Sequence, residues 1–167
     1  MQSLDVAAKY LGKQETTGNN CGPLIDTWCK KLNCPTGIFW CGIFVSNVLM
    51  EAYNLADKSS LRKSLGYESP FYADAADDWY KQAGKIGKCQ NDPQAGDLFV
   101  ILDQNGKAEH IGFCASSIVS VDGTFGVHTI EGNTNSGGSR NGDGVYRRFR
   151  PVSKSIRFIT LPGDLKA

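Results

Sequence analysis

Cys41, His110 and Glu131 are residue types that could make and break an amide bond, and they occur in that order along the chain. A cysteine works as a nucleophile when its thiolate is stabilised and a base lies within hydrogen-bond reach, with a third group orienting that base. Cys41 opens the run Cys41-Gly42-Ile43-Phe44-Val45-Ser46-Asn47-Val48-Leu49. Within it Cys41, Phe44, Val45, Val48, Leu49 and Ala52 recur at helical spacing, which predicts one inward face of an amphipathic helix from Cys41 to about Tyr53. A thiol in the first turn sits at the positive end of the helix dipole, where the thiolate is favoured. Cysteine is also a common buried hydrophobe, so Cys41 by itself is more readily a core residue than a catalyst.

The chain has two histidines. His110 opens the strand His110-Ile111-Gly112-Phe113-Cys114-Ala115 directly after a polar loop, and alternation puts it on the face of Gly112 and Cys114. Those small neighbours leave room for an imidazole beside a cleft. His128 lies mid-strand between Val127 and Thr129, where a histidine is more often structural. Glu131 ends the next apolar strand and Asn133 follows. In extended geometry both project to one face, and either oxygen can accept the imidazole Nδ1–H. An exposed carboxylate at a strand end is the plain alternative for Glu131. Arg147, Arg148 and Arg150 stand near Arg140 and either attract substrate carboxylates or form a solvated basic strand.

The elements that must hold these residues fall into two halves. Helices are predicted over Ser3–Leu11, Cys21–Leu32 with Asn20 as its cap, Cys41–Tyr53 and Phe71–Ala83, with at most one helical turn between Asn54 and Pro70. No Ser, Thr, Asp or Asn stands directly before Trp40 as an ordinary cap, which leaves first-turn N–H groups open to a site or to water. Strands follow at Gly96–Leu102, His110–Ala115, Ile118–Val121, Val127–Glu131, Val145–Arg150 and Ile156–Leu161, with Gly87–Ala95 and Gly132–Gly144 as loops. Helices first and antiparallel strands afterwards predict an α+β fold in one domain over residues 1–167.

Composition narrows the classes. The 167 residues carry a net charge of +1, and no aromatic residues interleave with a basic stripe, so neither nucleic acid nor membrane insertion is indicated. The first ten residues lack a basic segment followed by a long apolar core, so synthesis in a cytoplasm without a secretory signal is expected. Six cysteines without a C-x-x-C pair or clustered histidines favour reduced thiols over a disulfide framework or a zinc site. Gly132–Gly144 lacks the signature of a phosphate loop.

Trp40-Cys41-Gly42-Ile43-Phe44-Val45 resembles the tryptophan–cysteine helix start of CHAP domains, the cysteine/histidine-dependent amidohydrolases and peptidases of the NlpC/P60-like, papain-fold superfamily. Gly96-Asp97-Leu98-Phe99, His110-Ile111-Gly112 and Ile130-Glu131-Gly132-Asn133-Thr134-Asn135 are similar to that family's later segments, in the same order. Asn19-Asn20-Cys21-Gly22-Pro23 and the segment from Gly137 to Arg148 resemble a subgroup found in phages of Gram-negative bacteria and related toxins. The resemblance covers roughly residues 3 to 161. It implies a papain-like fold with N-terminal helices packed on a C-terminal antiparallel sheet, and hydrolysis of amide bonds in bacterial peptidoglycan.

Carried over residue by residue, Cys41 is the nucleophile, His110 the base and later acid, and Glu131 the orienting carboxylate, with Asn133 assisting. The Cys41 N–H is one oxyanion donor. Where some members carry a glutamine this chain has Trp40, so Asn20 and Trp40 are the candidates near the oxyanion. Some members hold calcium in an Asp-rich loop near the nucleophile; none surrounds Cys41, so no metal or cofactor is expected. The implied setting is the periplasm or cell wall of a target bacterium, reached by a monomer released as a phage endolysin with a holin, or injected as an effector with an immunity protein. An amidase for a small non-wall amide and a non-catalytic wall-binding module are the alternatives.

Overall fold

A computed structural model describes residues 2–135 and 142–165. The helical half comprises α1 (Gln2–Lys9), α2 (Pro23–Leu32), α3 (Cys41–Ala52), α4 (Lys58–Leu65) and α5 (Ala76–Lys85). The strands are β1 (Cys89–Gln90), β2 (Leu98–Leu102), β3 (Ala108–Cys114), β4 (Val119–Val121), β5 (Thr124–Thr134), β6 (Gly144–Pro151) and β7 (Ile156–Ile159), followed by a 3-10 turn at Gly163–Leu165. They form one antiparallel sheet in the order β1-β7-β2-β3-β5-β4, with β6 also paired to β5. The α+β class with helices preceding a curled antiparallel sheet is therefore observed.

Helix α3 is the centre of the packing. All its residues except Glu51 are buried, which differs from the single inward face expected of it. The sheet strands β3 and β5 cover one side, and α1, α2 and α4 cover the rest. Its two buried polar residues bond to backbone carbonyls, Ser46 Oγ donating to Ala73 O at 2.6 Å and Asn47 Nδ2 to Ile43 O at 2.9 Å, while Asn47 Oδ1 has no partner among the described residues. An aromatic series links the layers, with Trp28 at 5.0 Å from Tyr10 and 6.2 Å from Trp40, and Phe44 at 6.1 Å from Phe113.

The sheet has two apolar faces. Leu98, Val100, Ile111, Phe113 and Ile130 join the helical core. Phe99, Cys114, Val127, Ile156 and Phe158 form a second, smaller cluster on the other face. No helix among the described residues is long and apolar enough to cross a membrane.

Several local expectations change. α2 starts at Pro23 after Gly22, with no side-chain cap; Asn20 sits in the left-handed region at φ 58° and caps nothing. α4 is a full helix, capped by Asp57 accepting from Ser60 N and ended by left-handed Gly66. α5 begins at Ala76 rather than Phe71, and Gly87–Ala95 contains β1. β5 runs on through Glu131 to Thr134. The Gly137–Asn141 part of the segment compared above, including Arg140, lies outside the described residues.

Candidate active site

β3 pairs with β5 at Phe113↔Ile130 and Cys114↔Thr129, and there the paired register between them ends. Along β3 the amide of Cys114 points to β2, donating to Asp97 O, so alternation turns the Ile111 amide towards β5. It meets Cys41 instead: the Ile111 and Gly42 N–H groups both stabilise the Cys41 thiolate. The N-terminus of α3 thus occupies the opening between the two strands. Glycines allow this approach. A Cβ on Gly132 would lie 2.6 Å from Phe44 Cβ and 2.9 Å from the Trp40 ring, and one on Gly42 would lie 2.4 Å from Asp74 O.

His110 is the third residue of β3, not its first, and is 1% exposed. It lies on the same face as Gly112, as expected, but the space beside Gly112 is not kept for the imidazole. A Cβ there would meet Glu131 Cγ at 3.1 Å and the Phe99 ring at 2.7 Å. Gly112 makes room for the carboxylate to come alongside the histidine. Glu131 Oε2 is 2.8 Å from His110 Nε2. The carboxylate therefore holds Nε2, not the Nδ1 expected of it, and the Cys41 thiol lies close enough to the imidazole for each to shift the other's proton affinity. Nδ1 is buried and has no hydrogen-bond partner among the described residues, which leaves it as the nitrogen available to Cys41.

Glu131 is fully buried, not a solvated strand end. Its Oε1 accepts from Thr129 Oγ1 at 2.6 Å and Arg150 Nε at 2.8 Å, and its Oε2 accepts from Arg150 Nη2 at 2.5 Å. Arg150 was not singled out by sequence reasoning as a partner of this site. The basic run Arg147-Arg148-Phe149-Arg150 reads as a solvated strand, and only Arg147 is exposed. The strand register carries the missing information, because Arg150 stands opposite Val127 and reaches along the face shared by Thr129 and Glu131.

The electrostatics follow from these contacts. Burial would push the Glu131 carboxyl up; hydrogen bonds from Arg150 and His110 outweigh it and bring it down to about 2. Burial opposes the imidazolium, but Cys41 and Glu131 together raise His110 to about 9. Burial likewise opposes the Cys41 thiolate, and the His110 hydrogen bond and charge with the Ile111 and Gly42 amides hold the thiol below its ordinary value. Other cysteines move the opposite way. Burial pushes Cys29 up to about 12 and also raises Cys34 and Cys89. All six cysteines are free thiols.

Asn133 does not share Glu131's role. Its φ of 55° breaks the extended geometry assumed for it. The amide orientation that satisfies its neighbours has Oδ1 accepting from Trp40 N at 3.1 Å and Nδ2 donating to Gly142 O at 2.9 Å and Asn20 Oδ1 at 3.2 Å. Asn133 thus pins the residue before Cys41. Asn20 joins the site through Asn133 and lines a separate polar hollow of about 340 Å³ with Glu15, Asn19, Asn135, Gly142 and Asp143. The Trp40 side chain is 1% exposed and its indole N–H donates to Glu15 Oε1 at 2.8 Å, so it has no donor to offer an oxyanion. Glu15, which sequence reasoning missed, also accepts from Asn20 N at 3.0 Å.

Cys41 opens on a cleft of about 490 Å³ whose walls include Phe39, Asp74, Asp77, Asp103, Lys107 and Glu109. His128 is exposed and lies against Phe149 with ring centroids 5.3 Å apart. Among the described residues no three His, Cys, Asp or Glu side chains gather as a metal site. No family model, curated protein or solved structure matches the chain.

Proposed function

We propose that the protein is a cysteine amidase or peptidase that hydrolyses amide bonds of bacterial peptidoglycan. The observation that carries the reaction class is the buried His110 Nε2–Glu131 pair beside Cys41, whose thiol that histidine lowers, at the edge of a cleft. The peptidoglycan substrate rests on the resemblance to CHAP domains.

In the resting state His110 holds the proton and Cys41 is a thiolate. Sγ attacks the amide carbonyl carbon, and the developing oxyanion is met by the Cys41 N–H at the uncapped start of α3. His110 Nδ1–H protonates the leaving amine as the C–N bond breaks, leaving a thioester on Cys41. Water, deprotonated by Nδ1, then attacks the thioester. The carboxylic acid leaves, and the proton returns to the Cys41–His110 pair. Glu131 keeps the Nε2–H directed at itself throughout and stabilises the imidazolium.

Mass spectrometry of purified sacculi digested by the full chain tests the substrate. New amine and carboxyl termini within stem peptides or at the muramoyl–alanine bond are expected and identify the bond. Sacculi that release neither contradict the wall substrate. The acidic cleft favours one second reading. Asp74, Asp77, Asp103 and Glu109 line the cleft with one lysine, Lys107, and Asp77 is ion-paired with a lysine outside the lining, Lys81, which suits an amine-bearing substrate such as a polyamine amide. Hydrolysis of such an amide with intact sacculi would select it.

A further inference from the structure

A fully buried carboxylate needs compensation on both oxygens, and its plane must be fixed if it is to aim a neighbouring ring. Thr129 Oγ1 reaches Glu131 Oε1 alone and His110 reaches Oε2 alone. Arg150 spans both, with Nε on Oε1 at 2.8 Å and Nη2 on Oε2 at 2.5 Å, from a side chain that is itself 16% exposed. This is the planar fork that fits a carboxylate edge, and a lysine ammonium cannot reproduce it. The plane so fixed sets where Oε2 points. That sets the rotation of His110, and with Nε2 committed it sets which nitrogen meets Cys41.

Resting on the reading of Cys41 as nucleophile, we propose that Arg150 is the positioning residue of this site, acting on the Cys41–His110 pair through Glu131: its fork fixes the carboxylate and its charge keeps that carboxylate ionised beside the imidazole. The groups around the carboxylate come from separate elements: Thr129 from β5, His110 from β3 and Arg150 from β6, with Cys41 from α3 beyond the ring. On its open side Cys41 shares the cleft with Asp74, Asp77, Asp103, Lys107 and Glu109. Substituting Arg150 alone leaves all of these in place. Removing its positive charge raises the proton affinity of every acid in the cluster, so the sign of the effect is the same for Cys41, His110 and Glu131.

The test has two readouts, alkylation of Cys41, which needs no substrate, and turnover of purified sacculi. The rate at which iodoacetamide alkylates Cys41 is followed against pH in wild type, Arg150→Lys and Arg150→Gln. Peptide mass spectrometry separates Cys41 from the other cysteines. In wild type the inflection lies below the ordinary thiol value of 9.0. Arg150→Gln moves it up by roughly one pH unit. Arg150→Lys keeps the inflection but loses about 10- to 100-fold in kcat at unchanged KM, because the charge remains and the fork does not. Wild-type inflections and wild-type kcat per folded molecule in both variants would overturn the proposal, leaving Arg150 a stabilising ion pair. A low wild-type inflection that Arg150→Gln does not move also overturns it, while sparing the nucleophile. An ordinary inflection in the wild type overturns the nucleophile reading and this proposal with it. If circular dichroism shows that Arg150→Gln does not fold, Arg150→Lys decides alone: lost kcat supports the role, and unchanged kcat refutes it.

Discussion

A buried imidazole serves as a base when one nitrogen is held and the other is left open towards the acid it must serve. His110 meets that condition by giving Nε2 to Glu131 at 2.8 Å and leaving Nδ1 with no partner among the described residues. His128 meets neither half, being exposed against Phe149 with no carboxylate on its ring among the described residues. His110→Ala is therefore expected to lower turnover by at least ~10³-fold, and His128→Ala to leave it within about 2-fold. Steady-state rates of the two purified variants check this, and the reverse pattern would move the base to His128. At this scale the grouping of Cys41, His110 and Glu131 was legible from residue type and chain order, although His110 and Glu131 lie within their strands rather than at the ends. Arg150 was not, since its reach to Glu131 crosses strand register that a linear pattern does not display. Asn133 was misjudged for a related reason: a single left-handed residue at the end of β5 turns its amide to Trp40 and Asn20.

Helix α3 delivers the thiol, and its position depends on the absence of side chains at its contacts. Gly42 lies against the backbone of Asp74 and Ala75, and a Cβ there would meet Asp74 O at 2.4 Å and Ala75 N at 3.2 Å. Backbone cannot swing aside as the end of a side chain can. Gly42→Ala is expected to destabilise the fold by about 1–3 kcal/mol and to push Cys41 away from His110. Urea unfolding measures the first effect and kcat of the folded fraction the second; wild-type values in both would mean the segment at Asp74 yields freely. The helix itself was plain in its periodicity. Burial on nearly every side was not, because Ser46 and Asn47 read as polar positions until their bonds to Ala73 O and Ile43 O are known. Asn20 misled as a cap for α2, since an asparagine before a helix serves equally as a left-handed loop residue.

Over the whole molecule, four elements meet at one opening in the sheet: α3 brings Cys41, β3 His110, β5 Glu131 and β6 Arg150. The α+β class followed from helices preceding strands. The curl of the sheet did not, because it comes from β5 pairing with β3 over only two positions and with β6 over most of its length. That same short pairing leaves the gap into which the α3 N-terminus fits, so the chemistry and the topology have one origin. If the relay cuts amide bonds, removing one sulfur must stop it while leaving the fold intact. The most direct measurement compares sacculi digested by wild type and by Cys41→Ala, counting new termini by mass spectrometry and checking the fold by circular dichroism. The expected result is a native spectrum with termini reduced at least ~10³-fold. Cleavage by Cys41→Ala at the wild-type rate would contradict the account at its centre.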